Sequence, residues 1–333
     1  MRYIGFLFLA LSLFSCQDER LFLRGELNGV EDFLFKKGTD TEFKLEHNGE
    51  GVLIFRNGQV VSESNILTVD DRFTFGTQRI RIVAYRGTDT ASQYFRMTVV
   101  PSEAPMPLAF EVVNEYPHPS QLFTQGLFLD GEIVIESSGQ YGESALSTYK
   151  LGSTDFIQHY KVDEDWFAEG VALLGDSLYQ ITWRENRAQS YGWNGDRFEP
   201  GREFKYSGRE GWGVAPWEDH LIWSDGTEKL RFVNPADMSV DNTISVTSNL
   251  GLFSNLNELE IYKGYIVANL WQTPRIVFVN PENGAVEKVL DLNSIANNHK
   301  AAGTLNGIMV KGDNLIITGK NWPTMYELEI DLN

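Results

Sequence analysis

Cysteine is almost missing: Cys16 is the only one in 333 residues, so no intramolecular disulfide is possible. Positive charge is scarce. Lys and Arg number 28 against 46 Asp and Glu, a formal charge of −18. That excludes nucleic acid as a partner, because phosphate backbones are met by clustered Lys and Arg. After the first residues no apolar run approaches the roughly 20 residues of a membrane span. Histidines are few: His47, His118, His159, His220 and His299 are scattered, and no zinc triad is legible among them. No G-x-S-x-G elbow or phosphate loop occurs. No metal and no cofactor is expected.

What is present is a globular composition, 42% hydrophobic and 13% aromatic, in a chain long enough for two domains. The N-terminus, MRYIGFLFLALSLFSC, places Arg2 before an apolar run from Ile4 to Phe14, then Ser15 and Cys16. This reads as a secretory signal over residues 1–15. Leu13-Phe14-Ser15-Cys16 resembles a bacterial lipobox, with Phe14 bulkier than usual there. The expectation is an exported lipoprotein of the bacterial cell envelope, in the outer membrane or periplasm. Acyl chains on Cys16 would be its only membrane contact, since two or more give stable anchoring. Residues 16–19 serve as the lipidated tether.

Residues 20–100 read as short strands: Glu42 to His47, a hairpin over Asn57-Gly58, then Gln78 to Tyr85 and Tyr94 to Val100. This density of strands predicts an immunoglobulin-like β-sandwich. It carries no chemical constellation. Residues 101–108, containing SEAPMP, read as a linker.

From residue 109 to 333 a period appears. Segments beginning at Phe123, Phe167, Gly211, Leu256 and Leu305 align as hairpins. Their anchors, Gly126, Gly170, Gly213, Glu258 and Gly307, are spaced 44, 43, 45 and 49 residues apart. Four strands per unit at such a period is the signature of a β-propeller. The predicted fold is all-β: a five-bladed β-propeller behind an N-terminal immunoglobulin-like β-sandwich domain. The last copy is one strand short, and Ala109 to Tyr116 is expected to supply it.

In such a ring the residues before the anchors, Gln125, Glu169, Trp212, Asn257 and Asn306, share one mouth of the channel. The hairpins return Trp183, Asp225, Trp271 and Lys320 to the same end. Taken singly, a Trp reads as a packing residue, and Trp166, Trp193, Trp217 and Trp223 are assigned to packing. Repeat packing, however, predicts like residues at equivalent positions, whereas the entrance residues differ. That divergence points to a site built on a scaffold. One carboxylate, one lysine and indole walls suit a small uncharged or amine substrate. The carboxylate moves protons if desolvation raises its pKa.

These residues carry a resemblance. FTQGL at 123–127, FAEG at 167–170, TW at 182–183, GWG at 211–213 and SDG at 224–226 are similar to the plant-type glutaminyl-peptide cyclotransferases. So are LNELE at 256–260, NLWQ at 269–272, LNGI at 305–308 and TGKNWP at 318–323. The order and spacing also match, over about residues 110–330; Ala168 and Leu270 are small departures. The resemblance implies a five-bladed propeller that converts N-terminal Gln of peptides or proteins to pyroglutamate with loss of ammonia, without metal; a monomer is expected. It implies Glu169 as catalytic acid and base, Asn257 and Lys320 as its catalytic companions, and a substrate pocket of Phe123, Gln125, Phe167, Trp183, Trp212 and Trp271. The competing reading is a catalytically silent envelope propeller that binds peptide N-termini or glycans. A propeller lyase or lactonase would require a metal or His cluster.

Overall fold

The computed structural model describes residues 20–26 and 34–332. The leader, Cys16 and the tether lie outside the described residues. Strands dominate. Helix is confined, among the described residues, to Asn293–Ala296 and the 3-10 turn Asn297–His299.

Contacts divide the chain into two compact units, and the division does not fall at one point in sequence. The first unit holds Asp40–Thr68 and Arg79–Phe95 with the strand Leu23–Glu26. There Leu23–Glu26 pairs with Lys44–His47, and Asp40–Glu42 with Ile66–Thr68. Gly51–Arg56 and Gln59–Ser62 form the expected hairpin, turned by Asn57 and Gly58 at φ 50° and 81°. Asn-Gly suits such a turn because both positions need positive φ. Val52 faces Ala84 and Ile54 faces Ile82, all four buried.

The second unit comprises 34–39, Val69–Gln78 and the chain from Arg96. It is built on five antiparallel sheets in chain order. The first sheet is Thr124–Asp130, Ile133–Ser138, Ala145–Lys150 and Phe156–Lys161. The second is Ala168–Leu174, Ser177–Thr182, Arg187–Trp193 and Phe198–Lys205. The third is Val214–Trp217, His220–Ser224, Lys229–Val233 and Val240–Ser245. The fourth is Leu256–Tyr262, Tyr265–Leu270, Arg275–Val279 and Val286–Asp291. The fifth is Leu305–Lys311, Asn314–Gly319, Thr324–Ile330 and Phe110–Pro117. The strand expected at Ala109 to Tyr116 is thus Phe110–Pro117, paired antiparallel with Thr324–Ile330. The predicted linker is partly strand: Met106–Leu108 adds in parallel to Lys288–Leu290 at the edge of the fourth sheet.

The first strands of the sheets touch their neighbours in a closed cycle, the fifth returning to the first. The core follows the same cycle as separate layers, each shared by two consecutive sheets. Ile135 and Leu146 meet Leu178 and Tyr191, and Phe278 meets Ile317 and Leu328. Both faces of each sheet are therefore covered, and Ile266 to Leu270 are all buried. The seam between the fifth and first sheets is tied by polar groups. His118 Nδ1–H donates to the Trp322 carbonyl at 2.6 Å, and Nε2–H to Glu136 at 3.0 Å. Tyr149 and Thr124 also donate to that carboxylate, at 2.5 and 2.7 Å.

The anchor glycines are dictated by the crowding of the first strands. A Cβ on Gly213 would fall on the Asn257 carbonyl oxygen and the Glu258 Cα. In the fourth copy the anchor is Glu258. Its buried carboxylate crosses the ring and accepts the Leu127 N–H at 3.3 Å.

Candidate active site

Four first strands are irregular at the same end. Register shifts fall between Thr124 and Gly126, Ala168 and Val171, Leu256 and Leu259, and Leu305 and Ile308. In the third sheet Trp212 and Gly213 precede the strand. The five residues before the anchors thus escape regular pairing. Bulges re-aim side chains, and they are common beside active sites.

The hairpin exits are tied to their entrances. Trp183 N–H donates to the Phe167 carbonyl at 2.9 Å, Trp271 to Asn255 at 2.8 Å and Lys320 to Thr304 at 2.9 Å. Ser224 joins two sheets, accepting the Gly213 N–H at 2.9 Å and donating to the Asn257 carbonyl at 2.8 Å. Gly226, at φ 77°, leaves room for Trp212, whose ring lies where a Cβ would stand.

These constraints enclose a cavity of about 220 Å³ lined by Phe123, Gln125, Phe167, Glu169, Trp183, Trp212, Asn257, Trp271 and Lys320. All nine site residues expected from the sequence line it. Asp225 does not; it pairs with Arg231 at 2.7 Å and caps the turn at Thr227. Asn306 lies behind the lining, donating to Gln125 Oε1 at 3.2 Å and to the Thr124 carbonyl at 3.0 Å. Gln125 in turn donates to Glu169 Oε1 at 3.1 Å. An amide chain from the fifth sheet through the first therefore orients the carboxylate of the second. Trp223, assigned to packing, lies in the layer between the second and third sheets.

The aromatic walls stack edge to face. Phe123 and Phe167 are 6.4 Å apart at 86°, and Trp212 and Trp271 are 5.4 Å apart at 78°. Phe167 also meets Trp183 at 5.5 Å and Tyr141 at 5.4 Å. Such pairs rigidify a wall beyond their buried area.

Glu169 and Lys320 are the two ionisable groups of the lining. Burial pushes the Glu169 carboxyl well above the usual carboxylate range; Lys320 pulls it down, and Glu185 and Glu210 push it further up. Burial lowers the Lys320 ammonium, while Glu169 raises it. Its Nζ lies 4.6 Å from the centre of the Phe123 ring. Asn257 Oδ1 is buried without a partner, an acceptor waiting for a donor. The arrangement is an aromatic-walled cleft with a carboxyl group, a lysine and one unpartnered amide oxygen, a set of groups able to exchange protons and hydrogen bonds with a bound nitrogen.

Sequence reasoning missed Glu185 and Glu210. Each stands two residues from a lining tryptophan, in WREN and REGW. That spacing to Trp183 and Trp212 was the available signal. Among the described residues no group of three His, Cys, Asp or Glu is arranged to hold a metal.

The family model described as glutamine cyclotransferase matches residues 82–330. A glutaminyl-peptide cyclotransferase of Arabidopsis thaliana is 34% identical over 231 residues, covering 66% of this chain and 71% of the plant protein. The crystal structure of Myxococcus xanthus glutaminyl cyclase superposes with a TM-score of 0.63 at 31% identity. That match covers 68% of this chain and 98% of that one.

Proposed function

The chain belongs to the glutamine cyclotransferase family, and from that premise we propose that its pocket closes the N-terminal Gln of peptides or proteins into pyroglutamate. The observation that carries the proposal is the convergence of nine side chains from all five sheets on one cavity with a single carboxylate. The α-amine nitrogen attacks the carbonyl carbon of the Gln side-chain carboxamide. The new C–N bond closes a five-membered ring, the bond to the amide nitrogen breaks, and ammonia leaves.

Glu169 is the proton carrier. It takes the proton that the amine loses and delivers it to the departing nitrogen. An α-amino group has a pKa of about 7.7–8.0. A carboxyl raised by burial exchanges a proton with it at less cost than an exposed one. The carbonyl oxygen gains negative charge in the tetrahedral intermediate. Lys320 or the Asn257 amide donates to it, and one such donor is worth about 3–4 kcal/mol. The free Asn257 Oδ1 also suits an N–H of the substrate. The aromatic walls hold the side chain folded toward its own amine and exclude water.

In this reading the five sheets are the blades of a propeller, and the N-terminal strands form an immunoglobulin-like sandwich. Residues 1–15 are a lipoprotein leader and Cys16 the acylated residue of an envelope protein. The direct test is incubation of the protein with a Gln-initiated dipeptide amide, following ammonia and the mass of the product. A folded protein that releases no ammonia would leave the silent binding propeller as the better reading.

A further inference from the structure

One carboxylate behind the cavity touches two of its walls. Glu210 Oε2 accepts the Trp212 Nε1–H at 2.9 Å and the Trp183 Nε1–H at 3.1 Å. Its Oε1 accepts the Arg184 Nε–H at 3.3 Å, and the Arg184 guanidinium lies 3.7 Å from the centre of the Trp183 ring. The two indoles come from different places, one at the exit of the second sheet's hairpin and one at the entrance of the third. Trp212 carries the order onward to Trp271 through their edge-to-face contact.

An indole N–H can only donate, and a buried one needs an acceptor. Two separate neutral acceptors would satisfy two indoles without relating them. A single carboxylate oxygen shared by both fixes the angle between them, with charge-assisted bonds about twice as strong as neutral ones. Burial pushes the Glu210 carboxyl up, but the bonds from Trp212, Trp183 and Arg184 outweigh it and hold the group below its ordinary value, so it stays ionised.

We propose that Glu210 is a positioning residue which clamps the Trp183 and Trp212 indoles as a unit and thereby sets how tightly the pocket grips an N-terminal Gln. The proposal rests on the cyclase reading of the pocket. It gives the wall a charge as well as a shape. The groups that act electrostatically on Glu169 are Lys320, Glu185 and Glu210, and Gln125 donates a hydrogen bond to it. Glu185 is itself engaged, accepting the Tyr141 hydroxyl at 2.8 Å.

The test compares the full wild-type chain with Glu210→Ala and Glu210→Gln, using ammonia release from a Gln-initiated dipeptide amide between about pH 5 and 9. Acrylamide quenching of tryptophan emission is measured on the free proteins. In Glu210→Ala, KM is expected to rise about 10- to 100-fold with kcat changed much less. The walls contact the substrate before and during ring closure alike, and the range corresponds to losing one charge-assisted hydrogen bond. In Glu210→Gln an acceptor oxygen remains, so KM rises less. The acidic limb of kcat/KM should move to lower pH, because Glu169 has lost a neighbouring anion. A merely structural role would lower the melting temperature without moving that limb. Quenching should increase in the Ala variant.

KM values within about twofold of wild type in both variants, or an unshifted limb in Glu210→Gln, overturn the proposal. If Glu210→Ala does not fold, Glu210→Gln decides by its limb and its KM. If the wild type itself releases no ammonia, the cyclase reading fails. Quenching then still judges the clamp: an increase upholds it, and no change overturns it.

Discussion

Replacing Lys320 by Met removes one of the two charged groups of the cavity while keeping an apolar stem of similar length. Lys320 and Glu169 act on each other through their charges rather than through a direct ion pair. At an effective dielectric near 20, two unit charges at 4 Å attract by about 4 kcal/mol, and at twice that distance by about 2 kcal/mol. The Glu169 pKa is therefore expected to rise when that attraction is removed. The smaller of the two attractions is expected, because burial already pulls the Lys320 ammonium toward its neutral form. The sign is fixed: a carboxylate that loses a nearby cation holds its proton more tightly, so the acidic limb of kcat/KM moves to higher pH. Ammonia release across the pH range reads this directly. If Lys320 also donates to the developing oxyanion, kcat at the optimum should fall by about 10²–10³-fold, with binding of a non-cyclising peptide nearly unchanged. A limb that stays in place together with an unchanged kcat would refute both roles and return Lys320 to the wall of the fold.

Glu169→Gln should abolish turnover and keep the melting temperature, since the amide is nearly isosteric but cannot accept the amine proton. A folded variant retaining more than about a tenth of wild-type activity rules Glu169 out as proton carrier. A truncation starting at Glu103 keeps the strand Met106–Leu108 and every lining residue but removes 34–39 and Val69–Gln78 from their unit. It is expected to melt earlier yet hold kcat/KM within a few-fold, and a well-folded but inactive truncation would contradict that. Glu260→Gln should change how stability depends on pH. Burial raises the Glu260 carboxyl from 4.5 to about 8, so between those values the unfolded chain binds fewer protons and stability falls as pH rises. The loss is complete above the folded pKa and amounts to on the order of 5 kcal/mol. The Gln variant should flatten that slope in denaturant titrations at pH values spanning the window, and an unchanged slope counts against the assignment.

Much of the site could be read along the chain because each repeat carries its own local code. Lys263 and Gly264, at φ 48° and 83°, turn the fourth hairpin, Gly264 being the type that such a turn favours, and the anchor glycines mark where neighbouring strands crowd. Those signals are local, so periodicity alone was enough to align Gln125, Glu169, Trp212 and Asn257 and to return Trp183, Trp271 and Lys320 beside them, whereas Phe123 and Phe167 were legible only through the family resemblance. The strand that completes the fifth sheet was also legible, because a repeat one strand short leaves an edge to be covered. Nothing local announces what Glu258 or Met106 does, and the two-residue spacing from Glu210 to Trp212 does not by itself say what Glu210 holds. Glu258 occupies a glycine position, and only the closed cycle of strands sends its carboxylate across to Leu127. Met106 follows a proline in a stretch that reads as linker, until the edge of the fourth sheet offers it unpaired backbone groups. Glu210 is one acid among 46 Asp and Glu in the sequence; it becomes a shared acceptor because tertiary packing sets two indoles from different sheets on the same oxygen. Side-chain type and period determine which residues face the mouth. Which of them touch, and how far burial moves their protons, is decided by the distances that only the folded ring sets.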